Sequence, residues 1–218
     1  MRPGQSVRTQ EISSDALHEA AETVASVQLR YARKGHGLAE VALGGARSLE
    51  VLRHYPMRDV VDEAHATRFY YHAHTSRRYP ADEHGHFHLF VYPGGAPRGA
   101  DFFHLAGLSL DARGQPLRWF TTNRWVTGER WYDADTVLAA LPNFTVEARG
   151  RRAPLARWLT AMVRLYTPQL RSLVQRRDEV IQRRLARQDA ESLFEDRRLD
   201  VVTECAVSLP RTLARLAR

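Results

Sequence analysis

Between residues 84 and 92 the chain reads His-Gly-His-Phe-His-Leu-Phe-Val-Tyr, and that alternation constrains the fold more than any other feature of its 218 residues. Strand side chains point alternately to opposite faces, so His84, His86 and His88 share one face and Phe87, Leu89 and Val91 take the other. The apolar set needs a helix or second layer to bury against. A strand patterned this way belongs in an antiparallel sheet with one packed face. The preceding strand, residues 68–74, reads RFYYHAH and puts Tyr70, His72 and His74 on one face. A hairpin around the polar loop 75–83 sets His74 opposite His84 and His72 opposite His86, with Cβ atoms about 4.5–5.5 Å apart. His104, in the next strand, stands near this group. A slip of one residue would put the two sets on opposite faces.

The rest of the chain supplies the cover. Ser13, Ser14 and Asp15 offer N-caps to a helix running to Lys34, with Leu17, Ala20, Val24, Val27 and Tyr31 on its apolar stripe. Residues 48–54 read as a short helix and residues 59–65 as further helical turns. Strands follow at 68–74, 84–92, 102–110 and 117–126, with Trp131 and Tyr132 extending the sheet and residues 144–148 as a last edge strand. Asp133 caps a helix through Leu141. From Pro154 the pattern is helical, with Leu155, Trp158, Leu159, Met162, Val163 and Tyr166 on one face. Thr167-Pro168 reads as an N-cap with Pro at the first helical position, opening a helix striped by Leu170, Leu173, Val174, Val180, Ile181 and Leu185. The expected class is α+β: a central antiparallel sheet of about four to five strands, flanked by an N-terminal helix and a long helical C-terminal region. One domain spans 1–218, with N-terminal helices in 1–65, a histidine-rich sheet in 66–148 and a basic helical region in 149–218.

Composition excludes several classes. Cys205 is the only cysteine, which rules out an internal disulfide and a cysteine-based zinc cluster. Its apolar surroundings, VVTECAVSL, read as a buried, inert thiol. No apolar run approaches the roughly 18 residues of a membrane span, and the N-terminus has no apolar signal core. The expectation is a cytoplasmic protein without a membrane. Residues 1–146 carry 16 basic and 16 acidic groups, and residues 147–218 carry 16 basic and 9 acidic, so the whole net charge of +7 lies in the last third. Acidic residues interleave with those arginines, which disfavours nucleic acid and suits solvated helix faces or a homo-oligomer through the C-terminal helices.

Seven of the ten histidines lie between residues 65 and 104. Neutral imidazoles on a rigid sheet suit a divalent transition metal such as Fe, Zn or Mn, with an open position for water or substrate. The candidate ligands are His72, His74, His84, His86, His88 and His104, and the candidate catalytic residues are His86 and His88. Glu83 and Asp101 are the nearest carboxylates. Tyr70, Arg77, Arg78 and Trp125 are candidate substrate contacts. Trp119, Trp125 and Trp131 share a face if their strand is unbroken, as a stacking wall or as core. The expected function is a metal-dependent enzyme acting on a small molecule, hydrolytic or oxygen-dependent. The alternatives are a metal-free site using histidine as acid, base or anion ligand, a non-enzymatic binding or interaction protein (a metal-responsive module or a helical scaffold), and a histidine-rich sheet face with no site.

Two resemblances bear on this. The stretch His84-Gly85-His86-Phe87-His88-Leu89-Phe90 resembles the histidine triad signature. That likeness implies a nucleotide hydrolase or transferase with His86 as nucleophile and His84 and His88 as its partners; Gly85 departs from the apolar residue expected there. More of the chain, from HYPMRDVVDEAH through FYYHAHTS and EHGHFHLF to RRDEVI, resembles a bacterial family of unknown function, which implies no activity.

Overall fold

In the computed structural model, which describes residues 12–74, 79–95 and 101–216, six strands make one antiparallel sheet in simple sequence order. They are β1 (Tyr55–Asp62), β2 (Thr67–His72), β3 (Glu83–Val91), β4 (Phe103–Asp111), β5 (Pro116–Thr122) and β6 (Val201–Ala206). The sheet thus exceeds the expected four to five strands by one at each edge, drawing β1 and β6 from segments expected to be helical.

Residues 59–65 are not helical turns; they end β1 and turn into β2. Val60 pairs with Phe69 and β-branched side chains favour a pleated edge. Pro56 and a register shift between Tyr55 and Val60 interrupt this edge, which discourages pairing with a further strand. Residues 48–54 form bends and a turn instead of a helix, and Leu52 at φ 65° is in the left-handed region that helices exclude. β6 pairs with β5, Cys205 standing opposite Trp119.

β5 stops at Thr122, because Asn123 caps the short helix α3 (Arg124–Thr127) by accepting from the Arg124 N–H. Trp131 and Tyr132 therefore lie outside the sheet, and the tryptophan stripe is broken. Trp119 is buried near Tyr166, the Trp125 Nε1–H donates to the Leu199 carbonyl, and Trp131 packs on Phe194. Residues 144–148 join no strand. There the Thr160 hydroxyl bonds both the N–H and the C=O of Val146, satisfying a backbone that a ladder would otherwise have paired.

The remaining helices are α1 (Ser14–Ala32), α2 (Leu38–Ala42), α4 (Ala134–Ala140), α5 (Ala153–Leu165), α6 (Thr167–Leu185), α7 (Ala190–Phe194) and α8 (Leu209–Leu216). Ser13 caps α1 as expected, and Ala20, Val24 and Val27 bury its stripe while Leu29 is exposed. Thr167 is the first residue of α6 and not its cap; its hydroxyl donates back to the Val163 carbonyl. The main core lies between α5 and one face of the sheet, where Phe69, Phe87, Leu89, Leu108 and Trp119 meet Trp158, Leu159 and Met162. Phe87 and Trp158 have ring centroids 6.4 Å apart. Arg177 occupies the buried stripe of α6, its guanidinium bonding Asp178 and the Tyr132 carbonyl and lying over the Trp131 ring. Among the described residues no helix is long and apolar enough to cross a membrane.

Candidate metal centre

The other face of the sheet holds the histidines. β2 and β3 pair with His72 opposite His86 and Tyr70 opposite His88, the register that brings the two imidazole sets to one side. One ring nitrogen each from His72, His86 and His88 lies within 4.8 Å of the other two, and all three residues are buried. His72 Nε2 and His88 Nε2 are 3.0 Å apart.

His84 is not part of this group. The β3–β4 register shifts between Glu83 and Gly85, and such an extra residue turns the side chains before it to the opposite face. Glu83 consequently lands among the histidines. Its Oε1 accepts from His86 Nδ1 at 2.5 Å and its Oε2 from the Ser109 hydroxyl at 2.6 Å. The Arg118 guanidinium lies 3.5 Å away. His84 instead bonds the hydroxyl of Tyr71, a residue of the helix-side core. Gly85 is required beside it: a Cβ there would come within 2.7 Å of the His72 carbonyl oxygen and 2.8 Å of the Tyr71 ring.

The remaining rings set the inner ones. His88 Nδ1 lies 2.9 Å from His104 Nε2, and His104 Nδ1 lies 3.0 Å from the Thr122 hydroxyl oxygen. His74 is not within the three-nitrogen group. Its ring contacts Tyr79 at 4.7 Å and His86 at 5.3 Å, and those two rings are 5.2 Å from each other, so the three pack as a near-parallel trio. Phe120 stands edge-on to His86 at 5.1 Å. It fits there because Gly107, opposite it in β4, has no side chain; a Cβ would fall 2.3 Å from the Phe120 ring.

Charge is suppressed on this face. Burial, then the neighbouring histidines, hold His72 down at about 2 and His88 well below the usual imidazole value. Burial and the Arg177 charge hold His104 at about 3. Burial and His86 hold His74 at about 4. These four rings are neutral at pH 7 and keep a lone pair. Glu83 goes the other way. Burial raises it, but the bonds from His86 and Ser109 and the Arg118 charge outweigh burial and leave it below its ordinary value, an ionised acceptor. With Nδ1 directed at that carboxylate, Nε2 is the His86 nitrogen left to face the cluster. That nitrogen and His74 Nε2 are buried and have no hydrogen-bond partner among the described residues.

The other expected contacts divide. Tyr70 is buried in the cluster, stacked on His54 at 3.7 Å and 5.2 Å from His72; burial raises its hydroxyl pKa above the ordinary range. Trp125 is engaged with Leu199 and Arg197, apart from the histidines. Asp101 is exposed and bonds Tyr132 and Arg130. Arg77 and Arg78 fall outside the described residues. Cys205 is half-buried, and burial raises its thiol pKa.

Several residues around the cluster were not anticipated from sequence: Tyr79, Ser109, Arg118 and Phe120, and two more at its margin. His54 bonds Asp59 at 3.0 Å and stands edge-on to His72. Glu129, held up at about 7 by burial, accepts from the His104 N–H at 2.5 Å. Pattern alone carried no signal for Glu129, which follows a helix of four residues and reads as a surface acid.

A family model described as a domain of unknown function, DUF6969, matches residues 18–207. No curated protein and no solved structure matches the chain.

Proposed function

The chain belongs to this family of unknown function, and from its geometry we propose that it is a metalloprotein in which His72, His86 and His88 hold one divalent transition ion. The observation that carries this is His86 Nε2, a buried ring nitrogen with no hydrogen-bond partner among the described residues, beside the His72–His88 nitrogen pair. An unsatisfied buried polar atom costs about 1–3 kcal/mol, and coordination removes that cost. The spacing fits. Two Zn–N bonds of about 2.0–2.1 Å at a tetrahedral angle set their nitrogens about 3.3 Å apart, and the His72–His88 pair stands at 3.0 Å.

Donor chemistry narrows the ion. Among the described residues the group contains three imidazoles and no carboxylate. Such a set suits Zn better than Mn, and the Fe(II) facial triad needs a carboxylate. Glu83 is committed to His86 and Ser109. The reading is therefore zinc-like and hydrolytic, with a small molecule as substrate. When bound, the ion would supply Lewis acidity and lower the pKa of a water.

The chain's own groups do the orienting. Glu83 orients the His86 ring through its Nδ1, and a Thr122–His104 relay orients His88 through its Nδ1. The proton that His72 Nε2 and His88 Nε2 share across 3.0 Å would be displaced when an ion binds. Tyr79 and Phe120 exclude water from two sides. His54, whose side chain is 40% exposed, marks the wet edge. The Glu83–His86 pairing also favours a second reading, in which His86 Nε2 acts as a metal-free general base or nucleophile oriented by the carboxylate.

Elemental mass spectrometry on tag-free protein, with a His86→Ala/His88→Ala variant beside it, tests the proposal. One zinc per chain, lost in the folded variant, is expected. Failure to take up Zn(II), Fe(II), Mn(II) or Cu(II) under anaerobic reconstitution overturns it. Hydrolysis of nucleotides or phosphate esters by metal-free protein, abolished by His86→Ala, would establish the second reading.

A further inference from the structure

The helix layer carries a second concave feature, on the side of the sheet away from the histidines. The C-terminal end of α1, α2 with the turn after it, and the first turn of α5 enclose a groove of about 1040 Å³. Arg30, Lys34, Arg47, Arg149, Arg151 and Arg152 line it. All six are exposed. Glu40 is the only acid among the lining residues, and it is paired with His36 at 2.8 Å.

These cations differ from several arginines elsewhere that are ion-paired. Arg118 is paired with Glu83 and Glu204, Arg177 with Asp178, and Arg198 with Asp196. The six groove cations form no ion pair or side-chain hydrogen bond among the described residues. Tyr31 lines the same groove, and its hydroxyl is shielded from solvent with no hydrogen-bond partner among the described residues. The first turn of α5 adds a positive helix end with no side-chain cap. Like charges converging from three chain segments repel unless an anion neutralises them. Guanidinium forks match phosphate oxygens, and an unpaired phenol can donate to one.

We propose that this groove binds a small ligand carrying several phosphate groups, of the nucleoside triphosphate or inorganic oligophosphate class. The size favours a small ligand over nucleic acid: the volume is that of a small-molecule pocket of roughly 300–1,000 Å³, and the cations close around one concavity and do not form a stripe.

Calorimetric titration at physiological ionic strength tests it, using tripolyphosphate, ATP and a single-stranded oligonucleotide as probes. Binding of one tripolyphosphate or ATP per chain, weakening with added salt, is expected. Tighter binding of ATP than of tripolyphosphate assigns a nucleotide, and equal binding assigns the bare phosphate chain. A Lys34→Ala/Arg151→Ala/Arg152→Ala variant should weaken binding by about tenfold or more, and Tyr31→Phe by roughly severalfold. The variant Arg183→Ala/Arg184→Ala/Arg187→Ala removes the same charge elsewhere and should leave affinity unchanged. Repeating the titration on the His86→Ala/His88→Ala variant keeps chelation of a bound ion from being mistaken for groove binding. No binding of either phosphate probe, or equal loss in the two triple-charge variants, overturns the proposal. So does tighter binding of the oligonucleotide that the groove variant abolishes, which would make nucleic acid the occupant.

Discussion

The two faces of this sheet are equally dry and are closed by different physics. Toward α5, Phe87, Leu89, Leu108 and Trp119 meet Trp158 and Met162, and the attraction is non-directional and scales with area. Toward the other side, His72, His86, His88 and His104 are no more exposed, yet each must find a partner for its nitrogens or lose free energy. The first face tolerates any side chain of suitable volume. The second admits only a matched set, and it is left with two nitrogens unmatched. Burying imidazoles at this cost, when phenylalanine would fill the space, supports the ion site we propose.

The comparison can be broken most directly with acid. His72, His74 and His104 have folded pKa values of about 2, 4 and 3, held down by burial first. The unfolded chain takes up protons at about 6.5, so between pH 6.5 and 4 it binds more protons than the native state and stability falls as pH falls. Urea midpoints should drop steeply across that window, enough to unfold a marginal domain. A flat profile would mean that the histidine face opens to water.

Next in size, Trp158→Ala should cost about 3–5 kcal/mol in urea unfolding and leave metal stoichiometry intact, because it cuts only the apolar face. His88→Ala should do the reverse. Wild type should gain about 2–3 kcal/mol in zinc at a hundred times its dissociation constant over its value in chelator, and the variant should gain nothing. If Trp158→Ala also empties the site, the two faces are one cooperative unit.

Glu83→Gln sharpens the contrast further. It keeps the shape of the side chain and removes the charge that orients the His86 ring, so zinc affinity should fall by about 10–100-fold with a smaller change in the stability of the metal-free protein. Competition with a calibrated chelator measures it. The smallest effect is expected from Glu129→Gln. Burial holds that acid at about 7, above its unfolded value. The native state therefore binds the extra proton between roughly pH 4.5 and 7, and stability from this group declines as pH rises through that window. The variant should raise the melting temperature relative to wild type more at pH 8 than at pH 5.

How much of this was legible in the sequence depended on the length and period of each segment. The four central strands and helices α1, α4, α5 and α6 repeat their pattern long enough to be read; even spacing gave the histidine faces, while the register that opposes His72 and His86 is one of two that it leaves open. The exchange of His84 for Glu83 did not follow from that spacing: one irregular residue in β3 reverses parity, and Gly85, the local bulge signal in EHGHFH, enters the sequence reading only as a departure from a motif. β1 and β6 were missed for a related reason. As edges they are only partly buried, so neither shows a clean alternation. Glu129 was hidden because its burial is created by elements distant in sequence.

The position of β6 has a consequence for synthesis. β5 ends at Thr122 and its partner strand begins at Val201, so every residue from 123 to 200 leaves the ribosome before the sheet can be completed. At about 5–20 residues per second the wait lasts several seconds. During it β5 carries a row of unpaired N–H and C=O groups beside Trp119 and Phe120, the kind of exposed edge that recruits other chains. The nascent protein is most vulnerable to aggregation late, when nearly all of its helices already exist.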